Sequence, residues 1–444
     1  MIARNPYSLP LAVILAVMLP ACDRHPAPIA ADAGSVDALA QALGELAPKV
    51  RALAFADPGG HTRTDESIRK AIGQARQLPN KVDTWLLLGS AWIQKARESG
   101  DPGYYAHSLA CAEAIERAEP RNLSALALRG ASQLSDHRFS EALATAKRML
   151  AEEPNNVVAL GMASDASLEL GSFDEAVKAA EAMSASKPDV RSYARVAHLR
   201  WLRGDSAGAK VAYRTAIEAA QLNAPAESVA WVLVEAANVF FNEGDYSGAD
   251  KGYELAEQTL AEYAPAIAGR ARAALAGRKH ALAVDLARRA LAARPTAEHA
   301  VLVFDALEAG SSTSAELPAA RAEVERLGRS DRRTLALFLA STNTEADRAV
   351  SLATAELRER PSDGSKDVAA FALLRAGRAK EARELAEATI TRGTPDARAM
   401  FHAGAVRIAL GDSSGRALIK AALKLSPEFH PREAAEARAI LRSR

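Results

Sequence analysis

The sequence predicts an all-α chain built as an array of helical hairpins. Three observations carry this. At 444 residues the chain exceeds the roughly 250–300 residues that one compact core supports, so it needs several domains or an array growing in one dimension. Alanine is abundant, aromatics are only 5%, and glycine and proline punctuate the chain, a pattern that favours close-packed helices over sheets. A block also repeats: Phe139-Ser140-Glu141-Ala142-Leu143 returns 34 residues later as Phe173-Asp174-Glu175-Ala176-Val177.

The first element is an address. Arg4 precedes an apolar run, Leu9 to Leu19, of about eleven residues, too short to span roughly 30 Å of hydrocarbon and of signal-peptide length. Leu19-Pro20-Ala21-Cys22 follows and resembles a bacterial lipobox. That resemblance implies that residues 1–21 are a lipoprotein signal peptide and that Cys22 is the lipidation site. Acyl chains contribute about 0.8 kcal/mol per buried CH₂, so several give a firm anchor. The implied location is the bacterial cell envelope, lipid-anchored and facing the periplasm. Asp23 after the cysteine resembles a retention signal and favours the inner membrane over the outer.

Residues 22–35 are short, Pro/Ala-rich and without helical periodicity, as expected of a flexible tether after the lipidated cysteine. Residues 36–79 are expected to add irregular helices. Cys111, among Leu109, Ala110 and Ala114, reads as a buried, inert helical thiol.

The repeat begins near residue 80. Gly130 and Ser164, Ala142 and Ala176, and Pro154 and Pro188 all keep the 34-residue offset. Small residues allow the two helices of a hairpin to approach, and proline ends the second helix because it cannot donate to the helical ladder. Gly171 falls at the hairpin turn, where a positive φ is expected. This period and punctuation resemble the tetratricopeptide repeat. The resemblance implies a right-handed superhelical solenoid. Upstream, Trp85, Leu88, Gly89 and Trp92 form a first helix. Downstream the pattern runs through Gly204-Asp205, Gly244-Asp245 and Pro295, giving about six repeats over residues 80–295. Residues 296–330 are degenerate, broken by Gly310-Ser311-Ser312-Thr313-Ser314. The rhythm resumes over 331–429 for about three repeats, through Pro361, Gly377, Gly404 and Gly411. Residues 430–444, polar at Arg432, Glu433, Glu436, Arg438 and Arg442, read as a solubilising capping helix.

Chemistry finds little support. Lys+Arg is 56 and Asp+Glu 55, a net of +1, which supplies no global field for nucleic acid. Two cysteines exclude a disulfide scaffold. No phosphate-binding loop, dinucleotide fingerprint, His-Glu-x-x-His or nucleophile elbow occurs, so no cofactor, metal, small-molecule substrate or catalytic residue is implied. Charge is nevertheless patterned. Residues 101–190 are acidic, and residues 266–294 carry seven bases against Asp285 alone.

The repeat resemblance places ligand peptides in the concave groove lined by first helices. Projected onto the fourth and fifth units, it directs His198, Trp201, Asn238, Phe241 and Asn242 to that groove. Trp201 and Phe241 would be apolar anchors, and the two amides, one turn apart, would reach one extended backbone. The expected function is a membrane-anchored, non-catalytic scaffold or adaptor binding a protein or peptide partner in the envelope. The alternative is a structural component of an envelope machine for secretion, pilus or outer-membrane biogenesis.

Overall fold

The computed structural model describes residues 48–310 and 315–443, and all regular structure among them is α-helix. Residues 1–47, with the signal peptide, the lipidation site Cys22 and the tether, lie outside the described residues. The chain divides into two compact units after Lys187, inside the span 80–295 that reads as one array in sequence.

The first unit contains α1 (Pro48–Ala54), α2 (Arg63–Gln77), α3 (Val82–Ser99), α4 (Tyr104–Ala118), α5 (Leu123–Ser135), α6 (Phe139–Glu152), α7 (Val157–Glu169) and α8 (Phe173–Ser186). From α3 onward the helices pair as hairpins. Ala142 and Ala176 are fully buried, as the small-residue reading requires. A Cβ on Gly130 would collide with Met162. The α1–α2 segment is tied down by polar contacts. Trp92 Nε1 donates to Ala54 O at 3.2 Å, and the His107 ring stacks on Trp92 with centroids 4.4 Å apart. Cys111 is fully buried, and burial pushes its thiol well above the ordinary range.

The second unit contains seven hairpins and one lone helix. The hairpins are α9 (Val190–Leu202) with α10 (Ser206–Asn223), α11 (Ala226–Phe241) with α12 (Tyr246–Thr259), and α13 (Ala264–Ala276) with α14 (His280–Ala293). Next come α15 (Ala297–Ala309) with α16 (Leu317–Gly328), and α17 (Arg332–Ser341) with α18 (Ala346–Glu359). Then follow α19 (Asp363–Arg375) with α20 (Ala379–Thr391), α21 (Ala397–Ala409) with α22 (Ser414–Leu425), and finally α23 (Pro431–Arg442). The degenerate segment thus forms a hairpin like its neighbours. Its first helix ends at Gly310 with φ −71°, the same C-cap conformation as Leu170 and Gly277 in other hairpins, and residues 311–314 lie outside the described residues.

That turn is the repeat's backbone signature. A positive φ occurs at His137, Gly171, Gly204, Gly244, Arg278, Asn343, Gly377 and Gly411. At each, the next backbone N–H returns to a carbonyl five residues earlier, as in Ser172 N to Ser167 O at 2.8 Å and Arg378 N to Leu373 O at 2.8 Å. This closes the first helix with a left-handed residue, the conformation glycine adopts without steric cost.

Each first helix packs on the next one, α11 on α13, α13 on α15, and so on to α21. First helices therefore form the inner row of this unit and second helices the outer one. The unit also closes on itself. Thr394 Oγ1 donates to Leu202 O at 2.5 Å, and a Cβ on Gly204 would lie 2.7 Å from Gly393 O. The Tyr246 hydroxyl meets Ser426 and accepts the Glu428 N–H at 3.0 Å. Hairpins at the start of the unit thus touch those at its end.

Candidate functional site

The five residues expected in the groove are all buried, and the structure corrects their roles. Trp201 follows Ala194 and Ala197 on one stripe of α9 that packs with Tyr213 and Ala216 of α10. Phe241 follows Val234 and Ala237 on the matching stripe of α11 and has no exposed surface. Spacings of three and four put these aromatics on the hairpin's own interface, not on its inner face. Asn238 Oδ1 accepts from Tyr253 Oη at 2.7 Å and from Arg272 Nη2 at 2.9 Å, so the amide is spent inside the fold. Asn242 is the C-cap of α11, its N–H returning to Asn238 O at 2.8 Å. His198 is buried with its ring 6.0 Å from that of Trp201.

Bases of the stretch 266–294 are paired within the unit, although Arg278 and Arg288 remain largely exposed. Arg270 pairs with Asp250 and Glu257, Arg289 with Glu257 and Glu262, Arg288 with Glu316, and Arg278 with Glu428.

The inner row instead carries recessed ionisable groups. Burial pushes the Glu235 carboxyl up to about 7, against the opposing pull of Arg272 and Asn238. Burial and Asp331 push Glu298 up to about 7 as well, opposed by arginines. Burial holds the His299 imidazole down at about 4, while its Nδ1 lies 2.7 Å from Arg294 O.

Next to these groups lies a cavity of about 440 Å³, within the size range of ligand pockets. One stripe of α15 forms its floor: Glu298, Val301, Leu302, Asp305, Glu308 and Ala309. Arg272 and Leu275 of α13 and Thr334, Leu337, Phe338 and Ser341 of α17 form the walls. The roof is the start of α23, with His430, Pro431, Arg432 and Ala435.

Helix α23 is therefore not a solubilising cap with its charges in water. It lies on the inner row, and its charged residues meet first helices. Glu433 has no exposed surface and accepts from Arg398 Nε at 2.7 Å, Ser341 Oγ at 2.6 Å and His402 Nε2 at 3.2 Å. Glu436 pairs with Arg375, with a 2.8 Å bond from Nη1. Arg432 reaches Asp305 at 3.1 Å, Ser341 at 3.0 Å and Glu308. His430 caps the helix through the Glu433 N–H and places Nε2 at 3.2 Å from Asp305. His402 Nδ1 lies 3.0 Å from both Asp367 oxygens, with its ring stacked on Phe371 at 3.7 Å. Burial opposes charge on that imidazole, yet Asp367 and Glu433 together raise its pKa to about 9. Burial likewise opposes charge on Glu433, and Arg398, His430 and His402 hold its carboxyl well below the ordinary value.

Sequence reasoning missed this site because its members are spread over six helices, α13, α15, α17, α19, α21 and α23, with no local motif. The one available signal was a set of ionisable residues at inward positions of successive first helices.

The geometry defines a class: an all-α hairpin repeat whose first helices form an inner surface. The tetratricopeptide repeat profile matches residues 133–200. That match identifies the tetratricopeptide repeat in this part of the chain, and the hairpins on either side share its all-α repeat architecture. No curated protein sequence matches it. Similar solved structures include a thermophilic TPR protein of Thermus thermophilus, at 17% identity and TM-score 0.39, covering 44% of this chain and 100% of that one. Another is pilF of Pseudomonas aeruginosa, at 16% identity and TM-score 0.36, covering 55% of this chain and 97% of that one. A third is the human IFIT1 dimer with m7Gppp-AAAA, at 12% identity and TM-score 0.48, covering 88% of this chain and 94% of that one. Likenesses this distant carry nothing about function.

Proposed function

We propose that the protein is a membrane-tethered, periplasm-facing scaffold that binds a protein partner on the inner row of its second unit, and that it acts by binding and not by catalysis. The observation that carries the binding surface is the α13–α15–α17 cavity, where apolar walls and recessed ionisable groups face one space. Apolar area supplies affinity, while convergent charges set orientation. The recessed histidines serve as ion-pair and capping groups, His402 between two carboxylates and His430 at the start of α23.

Anchoring rests on the sequence Leu19-Pro20-Ala21-Cys22 and the tether after it. A lipid anchor confines the scaffold to one surface and raises its effective concentration for a partner there. Acyl labelling tests it: the wild type takes up label and a Cys22→Ser chain does not. A Cys22→Ser chain that stays membrane-bound, beside an unlabelled wild type, contradicts it. For the surface, a photoreactive residue at Leu337 on the cavity wall is compared with one at Leu222, which is 78% exposed on α10. Capture of one envelope protein from Leu337 and not from Leu222 supports the reading. Capture of the same proteins from both overturns it.

A further inference from the structure

Among the described residues of the second unit, helix α23 alone has no hairpin partner, and its N-terminal half lies on the inner row of first helices. Its C-terminal half is held by α22, where Arg416 donates to Ile440 O at 3.0 Å and Leu441 O at 2.9 Å and where Ile440 and Leu441 pack on the core, while its N-terminal half meets the inner row through ion pairs. Glu433 answers Arg398 and His402, Glu436 answers Arg375, and Arg432 answers Asp305 and Glu308. Its fully buried apolar content is small, Ala434 and Ala437, with Phe429 just before it. Buried ion pairs add little net stability over apolar contacts of the same volume, but they select strongly for a matching charge pattern. The fit is also incomplete. The cavity lies between Ala435 and the apolar wall of Leu275, Leu302 and Phe338, so the groove accepts more side-chain volume than α23 brings.

We propose that the inner row of α15, α17, α19 and α21 is a helix-docking site, that α23 occupies it as a built-in surrogate, and that its partner is an amphipathic helix. The partner helix carries two carboxylates one turn apart, as Glu433 and Glu436 are, an arginine beside the first, and a large apolar residue where α23 has Ala435. The carboxylates meet Arg398 with His402 and Arg375, and the arginine meets Asp305. The apolar residue enters the cavity that alanine leaves empty, so the partner binds better than the surrogate and displaces it. This deepens the scaffold reading. A synthetic probe separates the two: the site can bind the probe even where no envelope partner is captured.

The probe is a labelled peptide with the sequence of residues 428–444 carrying leucine at the position of Ala435. It is titrated into the full chain and into a full-length Arg432→Ala/Glu436→Ala variant, which loosens α23 and leaves the groove residues intact. The expected result is saturable binding at least tenfold tighter to the variant than to the wild type. A second peptide with glutamine in place of Glu433 is expected to bind at least tenfold more weakly. Native-state hydrogen exchange on the wild type supplies the independent arm. Amides of α23 should exchange at least a hundredfold faster than those of α21, because α23 opens alone. Equal protection of α23 and α21 overturns the proposal, as does a folded variant that fails to bind the leucine peptide. If the variant does not fold, the exchange ratio alone decides.

Discussion

Glu433 and Arg398 form a paired contact in which the guanidinium Nε and Nη2 each donate to one carboxylate oxygen, and neither residue is more than 7% exposed. Thirty-five residues separate them, and the bond fixes α23 to the first helix of the last hairpin. Removing one partner of such a pair leaves the other charge buried without its counterion, which costs about 3–5 kcal/mol. Glu433→Gln should therefore lower the unfolding free energy by about that amount in denaturant titration, or release α23 from the groove. A loss below about 1 kcal/mol with α23 still protected from exchange would show that the pair carries no such burden.

The same cluster sets a pH dependence. Groups facing His402 are Asp367 from α19, Glu433 from α23 and, through Glu433, Arg398. The His402 pKa rises from 6.5 to about 9, so its contribution is fully present below about pH 6.5 and is lost as pH rises through about 9. Glu433 is lowered from 4.5, so its contribution is present above about pH 4.5 and is lost as pH falls through its folded value. Docking of α23 should be firmest between these limits. Exchange protection of α23 should fall between pH 6.5 and 9, and His402→Gln should flatten that slope. An unchanged slope in His402→Gln would assign it to another group.

Trp201 and Phe241 test where sequence reasoning erred. Both are core residues, so Trp201→Ala and Phe241→Ala should each destabilise the chain by about 3–5 kcal/mol, read by thermal or denaturant unfolding. Loss of partner capture in either variant would then follow from lost structure. Unchanged stability with lost capture would restore both residues to the binding surface.

The hairpin turns offer a stabilising change. His137 holds φ 59° where Gly171, one repeat on, holds φ 76°. His137→Gly should stabilise the chain by about 0.5–1 kcal/mol, because a Cβ in the left-handed region carries a steric cost that glycine lacks. In the second unit, Gly204→Ala should have the opposite sign. Its φ is 84°, and the added Cβ would lie 2.7 Å from Gly393 O, at the contact that closes the unit. A neutral Gly204→Ala would show that the contact yields easily.

The helical hairpins were legible because their determinants are local and periodic. Ala142 and Ala176 read as interface residues, and Gly171 read as a left-handed turn, all from spacing alone. The turns at His137, Arg278 and Asn343 were not legible, since these residues do not announce a positive φ. The hairpin over 296–330 escaped because the Gly310-Ser311-Ser312-Thr313-Ser314 run lengthens the link between its two helices and shifts the repeat's spacing. The groove residues were misplaced by the choice of helix face: Trp201 and Phe241 belong to the small-residue stripe, while Asp305, Arg375 and Arg398 face inward. The place of α23 was hidden because its polar sequence looks solvated until its charges are matched with partners 31 to 127 positions away.

The account turns on α23 lying in the groove with its charges paired, and the protonation state of His402 reports this most directly. Nitrogen NMR of histidine-labelled full-length chain at pH 8, with the His402 signal assigned by its absence in His402→Gln, should show His402 as an imidazolium with both ring nitrogens protonated, a state lost in the Glu433→Gln variant. A His402 that titrates near 6.5, unaffected by Glu433→Gln, would contradict the account and place α23 outside the groove.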